Sequence, residues 1–592
     1  KTAPFSEWRN GVAAGPGGTP TASHVLGLVV NILKPEGDFL GLTIIYGLGI
    51  SLLSLATPIA VQVLINSVGY TGLTIPLVVV SLSLFGLLLA SGLLNALRVH
   101  LMEVFARRLY ARLTSEIALK ALYAQKPFFR DDGRSVLFNR YFDIQNVQKA
   151  VPVLLISGFT VLLQAAVGFV LTAFYHPLFL AFNAVVIGLI WLILLIWGGS
   201  AVKSAVELSQ NKHRTGEWLQ GLADSNGYFK SERHIAYALR RTDDVTCDYV
   251  TSHRKHFRRH FAQTVSFLVL YAAASASLLG LGGWLVIQGQ LTLGQLVAAE
   301  LVLAVAFFGV SQLGTYLNYF YDLCAASEEL SLLDAIELEE PTGAEAPSDA
   351  GAELVFDSVR GEARGTPARI HMTIPGGAQI QAMAETHGMQ RLFTNLLKRF
   401  EEPKGGTLTI GGHDITSMDV LALRQRVRVI DRPNLVEMTM RSYLQLSSDE
   451  VTSAEMLDVL RLVGLDSVIE ELEDGLDTYL SSTAWPLSVG EAMRLKLAGA
   501  LLAKPKIIVL NQLFDTVKKH ELRDALANLK AKGADAPTVI VFSSGRVDLG
   551  LGHYLDLGVQ KQSLFSDHRS FAASTGTPQK PETSARDIFE EV

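Results

Sequence analysis

The chain has 592 residues, 49% of them hydrophobic and only 18% charged, with a formal net charge of −6. That length exceeds one domain, and so little charge excludes a wholly soluble globular protein, which carries about one charged residue in four. The mild negative charge points to no nucleic-acid partner, and two cysteines, Cys247 and Cys324, make neither a disulfide framework nor a metal-ligand spacing.

The first 20 residues lack the basic start, apolar core and cleavage site of a signal peptide. The chain opens on Lys1 rather than Met, so some N-terminal sequence is expected to be missing. The run 24–34 (HVLGLVVNILK), stopped by Pro35, predicts an interfacial amphipathic helix. Six apolar stretches follow, at about 38–66, 74–97, 153–175, 177–199, 262–287 and 292–320. Each can supply the roughly 20 helical residues that cross a bilayer.

The connections alternate in charge. Those after the first, third and fifth stretches (SVGYTGLT, YHP, VIQGQL) hold no Lys or Arg. The links 98–149 and 200–261 are long and basic, the first carrying Arg98, Arg107, Arg108, Arg112, Lys120, Lys126, Arg130, Arg134, Arg140 and Lys149, the second ending in HRKHFRRH. The positive-inside rule places both links and both termini in the cytosol. The spacing of Leu109, Leu113, Ile117 and Leu122 predicts that these links are helical extensions of the spans. The expectation is a multi-pass protein of an inner or plasma membrane, with membrane lipid as a partner.

Two features inside this half carry chemistry. Glu300, in VAAELVLA, is a carboxylate within a span. It either faces a substrate cavity or is paired or protonated against a neighbouring helix. His253, His256 and His260 share a helical face, a spacing that could ligate a metal. Arg254, Lys255, Arg258 and Arg259 among them disfavour a cation, so a basic cytosolic face is expected and no metal.

Composition changes at about 336. Residues 1–335 form the membrane domain, 336–352 an acidic Pro/Gly/Ala-rich linker, 353–571 a compact α/β domain and 572–592 a polar tail. Strand-like runs at 378–383, 407–410, 427–430, 506–510 and 538–542 alternate with helical runs at 388–400, 453–463 and 490–503. That alternation predicts a parallel-sheet core.

The order of landmarks in this second half is distinctive. TIPGGAQIQAMAETHGMQRLFTNLLKRFEEPKGGTLTIGGHDITSMDVLALRQRVRVIDRP comes first, then ELEDGLDTYLSS, then PLSVGEAMRLKLAGALLAKPKIIVLNQLFD. It resembles the nucleotide-binding domain of ATP-binding cassette (ABC) exporters. The six spans, GQLTLGQLVAA and KPFFRDDGRSVLFNRYFDI agree, over about 21–571. SLATPIAVQVLIN looks closest to the type I secretion and peptidase-containing exporters. The resemblance implies a six-helix all-α transmembrane domain fused to an α/β P-loop-NTPase-like cassette.

It also marks where the chemistry should be. A phosphate loop needs G-x-x-x-x-G-K-[ST], with backbone amides and Lys on the phosphates and a hydroxyl on Mg²⁺. The matching stretch runs from Ala384 to Leu392: Ala384 replaces the first Gly, Gly388 lies inside, Gln390 takes the Lys position, and Arg391 and Leu392 take the hydroxyl positions. Glu385 adds a negative charge there. The Asp and Glu expected after IIVL are Asn511 and Gln512. The γ-phosphate-sensing Gln falls at Asp431 or Arg432, the switch His near Ser544, and the Asp of the turn after the strand near Lys518. No G-x-x-x-x-G-K-[ST] occurs anywhere. The signature L-S-G-G-Q is Leu487-Ser488-Val489-Gly490-Glu491, with Ser488 and Gly490 kept and a closely matching helix after it.

Two functions are open on these residues. One is an exporter subunit that cannot hydrolyse ATP alone. It pairs with a second half-transporter bearing intact motifs, offers its signature helix to ATP and Mg held by that half, and helps export a peptide, protein or lipid-like cargo. The other is an ATP-independent homodimer that regulates or scaffolds a secretion complex and docks its other subunits.

Overall fold

The computed structural model of the chain describes residues 22–71, 74–125, 129, 134–339, 343, 351–448, 450–530, 536–544 and 548–575. The N-terminal lead-in, Lys126, Arg130, most of the acidic linker and the tail beyond Thr575 lie outside the described residues. The chain divides into two compact units, one ending at Leu338 and the other starting at Glu339.

The first unit is all helix. α1 (Ala22–Leu33) is the amphipathic helix expected before the first span, with Val25 and Val29 buried. α2 (Gly37–Leu53) and α3 (Ala56–Thr71) make that span, broken at Ser54–Leu55. Pro58 has no N–H for the Ser54 carbonyl, so the helix stops and restarts with the proline in its first turn. Then come α4 (Thr74–Leu122), α5 (Ile144–Val153), α6 (Phe159–Ala173), α7 (Pro177–Asp224), α8 (Glu232–Ile287) and α9 (Leu293–Ser331). A π-helical segment, Leu154–Gly158, joins α5 to α6.

Among the described residues six helical stretches are long and apolar enough to cross a membrane, and the protein is a multi-pass membrane protein. α4 has 49 residues and α8 has 56, so at 1.5 Å per residue both run far beyond a hydrocarbon core of about 30 Å. The basic links are therefore continuations of helices over 98–122, 200–224 and 232–261. Leu82, Phe85, Leu89 and Trp191 are exposed on the outer faces, where lipid is the solvent.

Helix contacts are close where glycine permits. A Cβ on Gly309 of α9 would lie 2.2 Å from Val161 of α6, and one on Gly314 would lie 2.5 Å from Thr264 of α8. Small residues at such crossings let backbones approach where no hydrophobic effect drives association.

Buried charges at the inner ends of the helices are paired. Glu36, 1% exposed, sits between Arg108 (3.1 Å) and Arg112 (3.2 Å) of α4, and Arg112 also donates to the Ile32 carbonyl (2.7 Å). This clamps the α1–α2 elbow to α4. Asp143 takes Lys212 (2.8 Å) and His213 (2.5 Å) from α7, and Arg140 takes Glu329 (2.9 Å) from α9.

The second unit is the α/β cassette. Its main sheet has six strands: β3 (Gln379–Ala384), β6 (Val427–Ile430), β9 (Ile507–Leu510), β10 (Thr538–Phe542), β11 (His553–Leu557) and β12 (Gln562–Phe565). Their order is β12-β11-β3-β10-β9-β6, parallel except at the β11–β12 edge. Every residue of β9 and β10 is buried, as central strands covered on both faces require.

The run 407–410 belongs elsewhere than in the parallel core. It lies in β4 (Gly405–Ile410), which pairs antiparallel with β1 (Leu354–Ala363) and β5 (His413–Asp414), while β2 (Thr366–Ile374) flanks β1. The turn Gly411–Gly412, both at positive φ, returns β4 into β5 as a hairpin, which a parallel strand cannot do. α10 (His387–Leu397) packs beneath, with Phe393 against Phe356 (5.2 Å) and Phe542 (5.7 Å). A separate helical core surrounds α15 (Val489–Leu502), which follows α11 (Val420–Arg426), α12 (Met440–Gln445), α13 (Ser453–Leu462) and α14 (Asp466–Glu471), with β7 (Met438–Thr439) paired to β8 (Tyr479–Leu480) beside it.

The Glu36 clamp yields a prediction. Glu36→Gln removes the clamp's one fully buried charge and leaves the partly solvated Arg108 and Arg112 without their acid, so it should cost about 1–2 kcal/mol. Thermal unfolding of the full chain in detergent should show Tm lowered by several degrees; an unchanged Tm would remove the clamp from the account.

Candidate functional site

The cleft of interest lies outside the carboxyl ends of β3, β9 and β10, where open α/β sheets place ligands. Its volume is about 220 Å³, and its polar lining is Thr386, His387, Gln390, Gln512, Ser543 and Ser544. Met383, Ala384 and Phe542 complete it, so no residue with a fixed charge lines the cleft.

The turn after β3 is short. Ala384 ends the strand, and α10 already starts at His387 with Thr386 as its cap. The Thr386 hydroxyl accepts the Met389 N–H (3.2 Å), and the Thr386 carbonyl accepts the Gln390 N–H (3.3 Å). The Glu385 N–H donates to the Leu557 carbonyl (3.1 Å), completing β11–β3 pairing. The Glu385, Met389 and Gln390 amides are thus committed within the chain.

Side chains of this stretch scatter. The Glu385 carboxylate does not enter the cleft; it turns to the opposite edge and accepts the Val559 N–H (2.8 Å). Gly388 is buried in α10 against Arg364, whose Cγ would lie 3.0 Å from an added Cβ. Gln390 is buried and faces the cleft, Arg391 is exposed, and Leu392 is fully in the core over Gly361.

Asn511 uses both ends of its amide. Nδ2 donates to the Asp431 carbonyl (2.7 Å) and Oδ1 accepts the Leu513 N–H (3.0 Å), capping the turn Gln512–Thr516. Gln512 is exposed at the mouth. The Ser544 N–H donates to Asp515 (2.9 Å), and Gln381 donates to Ser543 (2.9 Å) from below. Lys518 stands outside and pairs with Glu521 at 3.5 Å.

Asp431 and Arg432 follow β6. Their carboxylate and guanidinium approach at 3.9 Å, and Asp431 also acts on the Lys398 amine. Burial, with Arg424, Arg428 and Lys496 nearby, pushes the Lys398 amine down to about 8, against the attraction of Asp431. Arg424 holds Glu339 through two bonds of 2.6 Å and stacks over Phe400.

Leu487–Glu491 lie apart from the cleft. Leu487 is buried, Val489 exposed, and Gly490 backs onto the Thr516 carbonyl. Ser488 and Glu491 form a reciprocal cap on α15. The Ser488 hydroxyl accepts the Glu491 N–H (3.4 Å), and the Glu491 carboxylate accepts the Ser488 N–H (2.8 Å). The S-x-x-E spacing is the capping-box pattern, legible in the sequence though not read there. Thr386 and Ser543 in the cleft carried no such signal.

In the membrane unit Glu300 is half-buried, and its Oε2 has no hydrogen-bond partner. The histidine face is not uniformly solvated: His253 is exposed, but α8 turns His256 inward, where Ser204 meets it at 3.1 Å and His260 stacks on it. Among the described residues no group of three His, Cys, Asp or Glu could hold a metal ion. Cys247 is exposed and Cys324 buried, both as thiols.

Two family models match: ABC transporter transmembrane region over residues 40–214, and ABC transporter over 392–512. The chain is 25% identical to an uncharacterized ABC transporter ATP-binding protein, YknV, of Bacillus subtilis, over 58% of this chain and 60% of that protein. It is 23% identical to the ABC multidrug transporter mdr2 of Aspergillus fumigatus, over 81% of this chain and 63% of that one. With the alpha-hemolysin translocation ATP-binding protein HlyB of Escherichia coli it shares 26% identity, over 40% of this chain and 34% of HlyB. The chain spans less than two thirds of the length of these curated relatives. A solved bacterial Atm1-family ABC exporter with ATP bound superposes with a TM-score of 0.76 at 17% identity, covering 92% of this chain and 97% of that one, which shows the shared fold. The chain thus carries an ABC transporter transmembrane region followed by an ABC transporter cassette.

The Lys398 amine gives a pH test. Its folded pKa lies below the unfolded 10.5, so the unfolded chain binds the extra proton between about 8 and 10.5. Stability rises with pH across that window, and the burial penalty is fully present below it. Lys398→Met should raise Tm at neutral pH and flatten the rise; parallel wild-type and variant profiles would sink the assignment.

Proposed function

We propose that this ABC exporter subunit hydrolyses no ATP itself and pairs with a second, ATP-competent half. The observation that carries the reading is a cleft lined by no Lys, Arg, Asp or Glu, beside which the Glu385, Met389 and Gln390 amides are already engaged. A nucleotide–magnesium pair brings a polyanion and a hard divalent cation, which call for a cation on the phosphates and oxygen ligands on the metal. Here Gln390 supplies no charge, Leu392 lies in the core, and Asn511 spends both amide atoms internally. Gln512 cannot take a proton from water as a carboxylate would. The residues present do not fit magnesium–ATP.

In this reading the partner holds ATP and Mg, and this chain contributes α15 through Leu487–Glu491, of which Ser488 and Gly490 match the family pattern. Both termini and the basic helical extensions lie in the cytosol of an inner or plasma membrane, where the partner's cassette would meet this one. The cargo is exported, a peptide, protein or lipid-like molecule.

One observation favours a second reading, an ATP-independent homodimer that regulates or scaffolds a secretion complex. The Glu491 carboxylate occupies the end of α15 that would face a phosphate, and an acid there opposes an anion.

Affinity purification from native membranes, followed by ATPase assay of the chain alone and with its co-purifying partner, decides. The chain alone should stay at background, while the complex should turn over ATP. Turnover by the chain alone that Gln512→Ala abolishes would end both readings; a complex lacking any second half would favour the homodimer. Glu491→Gln should raise the complex's rate several-fold if α15 faces the partner's phosphate, and leave it unchanged otherwise.

A further inference from the structure

A buried cation stands inside the membrane unit with no acid beside it. Arg98, counted with the basic link by sequence, is only 3% exposed and lies among α2, α4 and α6. It is about 15 Å along α4 from Arg108, at 1.5 Å per residue, and so above the elbow where Glu36 neutralises Arg108 and Arg112. Nη1 donates to the Thr160 hydroxyl and Nη2 to Asn95 (2.8 Å), both neutral, and Nε is buried without a partner. Among the described residues no carboxylate pairs with it. A charge at such a place is costly, and by default marks a function.

Two neighbouring features shape the spot. Gly47 of α2 leaves room: an added Cβ would touch Nη1 at 3.5 Å, and a larger side chain would crowd the guanidinium. Thr160 sits just after the π-helical segment Leu154–Gly158, with Pro152 before it. That is the only π segment among the described residues, and such a turn is a natural pivot, often found at functional sites. Asn95, at the other end of the guanidinium, is exposed, so the outer face of the site opens on that side.

We propose that Arg98 anchors an anion site in the membrane unit, taking a carboxylate or phosphate group in the fork of its guanidinium. Thr160 and Asn95 hold the fork in place while the site is empty of anion, and movement at the π segment admits the ligand. The planar, always-charged guanidinium binds two oxygens at once, which Lys cannot reproduce. The anion is either a lipid headgroup or a soluble group carried by cargo. The site does not depend on the cassette's chemistry, so it stands or falls apart from the question of ATP.

The test is thermal unfolding of the full chain in neutral detergent at constant ionic strength. Phosphatidylglycerol, with diacylglycerol as its uncharged control, probes the headgroup source, and sodium phosphate probes the soluble source. One of the two anions should raise Tm by several degrees in wild type. Arg98→Gln should lose nearly all of the shift, and Arg98→Lys should keep less than half. A shift with phosphatidylglycerol alone assigns a lipid, and a shift with phosphate assigns a soluble anion. No shift with either, or equal shifts in wild type and R98Q, overturns the site; if R98Q does not fold, an equal shift in R98K overturns the fork.

Discussion

An amide N–H that already has an acceptor cannot hold a phosphate, and this constraint governs the cassette. The turn after β3 spends the Glu385, Met389 and Gln390 amides on Leu557 and Thr386, the cap of α15 spends the Ser488 N–H on the Glu491 carboxylate, and Ser544 gives its own to Asp515. Each of these bonds closes locally, within a strand pair or a helix cap. These bonds hold the sheet and the cap of α10 together without drawing on a ligand in the cleft.

The membrane unit obeys the same rule on a larger scale. Lipid offers no partner to backbone groups, so the chain crosses as helices whose bonds are internal. Charge then becomes the scarce and informative quantity. Near the elbow, Glu36, Asp143 and Glu329 are buried with cations beside them, as structural ion pairs should be. Arg98 and Glu300 lack such partners, which separates them from the structural set.

Much of this was legible in the sequence where one period or one composition dominated. The apolar runs and charge-free outer turns fixed the six crossings, because lipid exposure leaves few alternatives. The all-apolar runs 507–510 and 538–542 announced central strands. What stayed hidden depends on three-dimensional neighbours. The strand 407–410 has no parallel or antiparallel signature of its own; only the Gly411–Gly412 hairpin and β1 settle its sheet. The Glu385 carboxylate reads as an acid in the phosphate site until Val559, more than 170 residues on, is seen to take it. Arg98 reads as one more cytosolic base because its burial comes from α2 and α6, not from its own stretch.

In the proposed reading, where Asn511 stands at a position the family pattern gives to an acid, its bonds show why the changed positions would belong together. With a metal present, two carboxylates at the end of β9 would be neutralised; with none, they would be costly at a site that is partly buried. An amide at 511 removes the charge and adds a donor, and that donor reaches the Asp431 carbonyl at 2.7 Å. Aspartate could not make this bond, and its oxygen would instead face a carbonyl oxygen. Asn511 therefore acts as a structural tie between the ends of β6 and β9. Reintroducing the acid alone would break that tie before it rebuilt any chemistry, because the cation at 390 and the hydroxyl at 391 or 392 would still be missing.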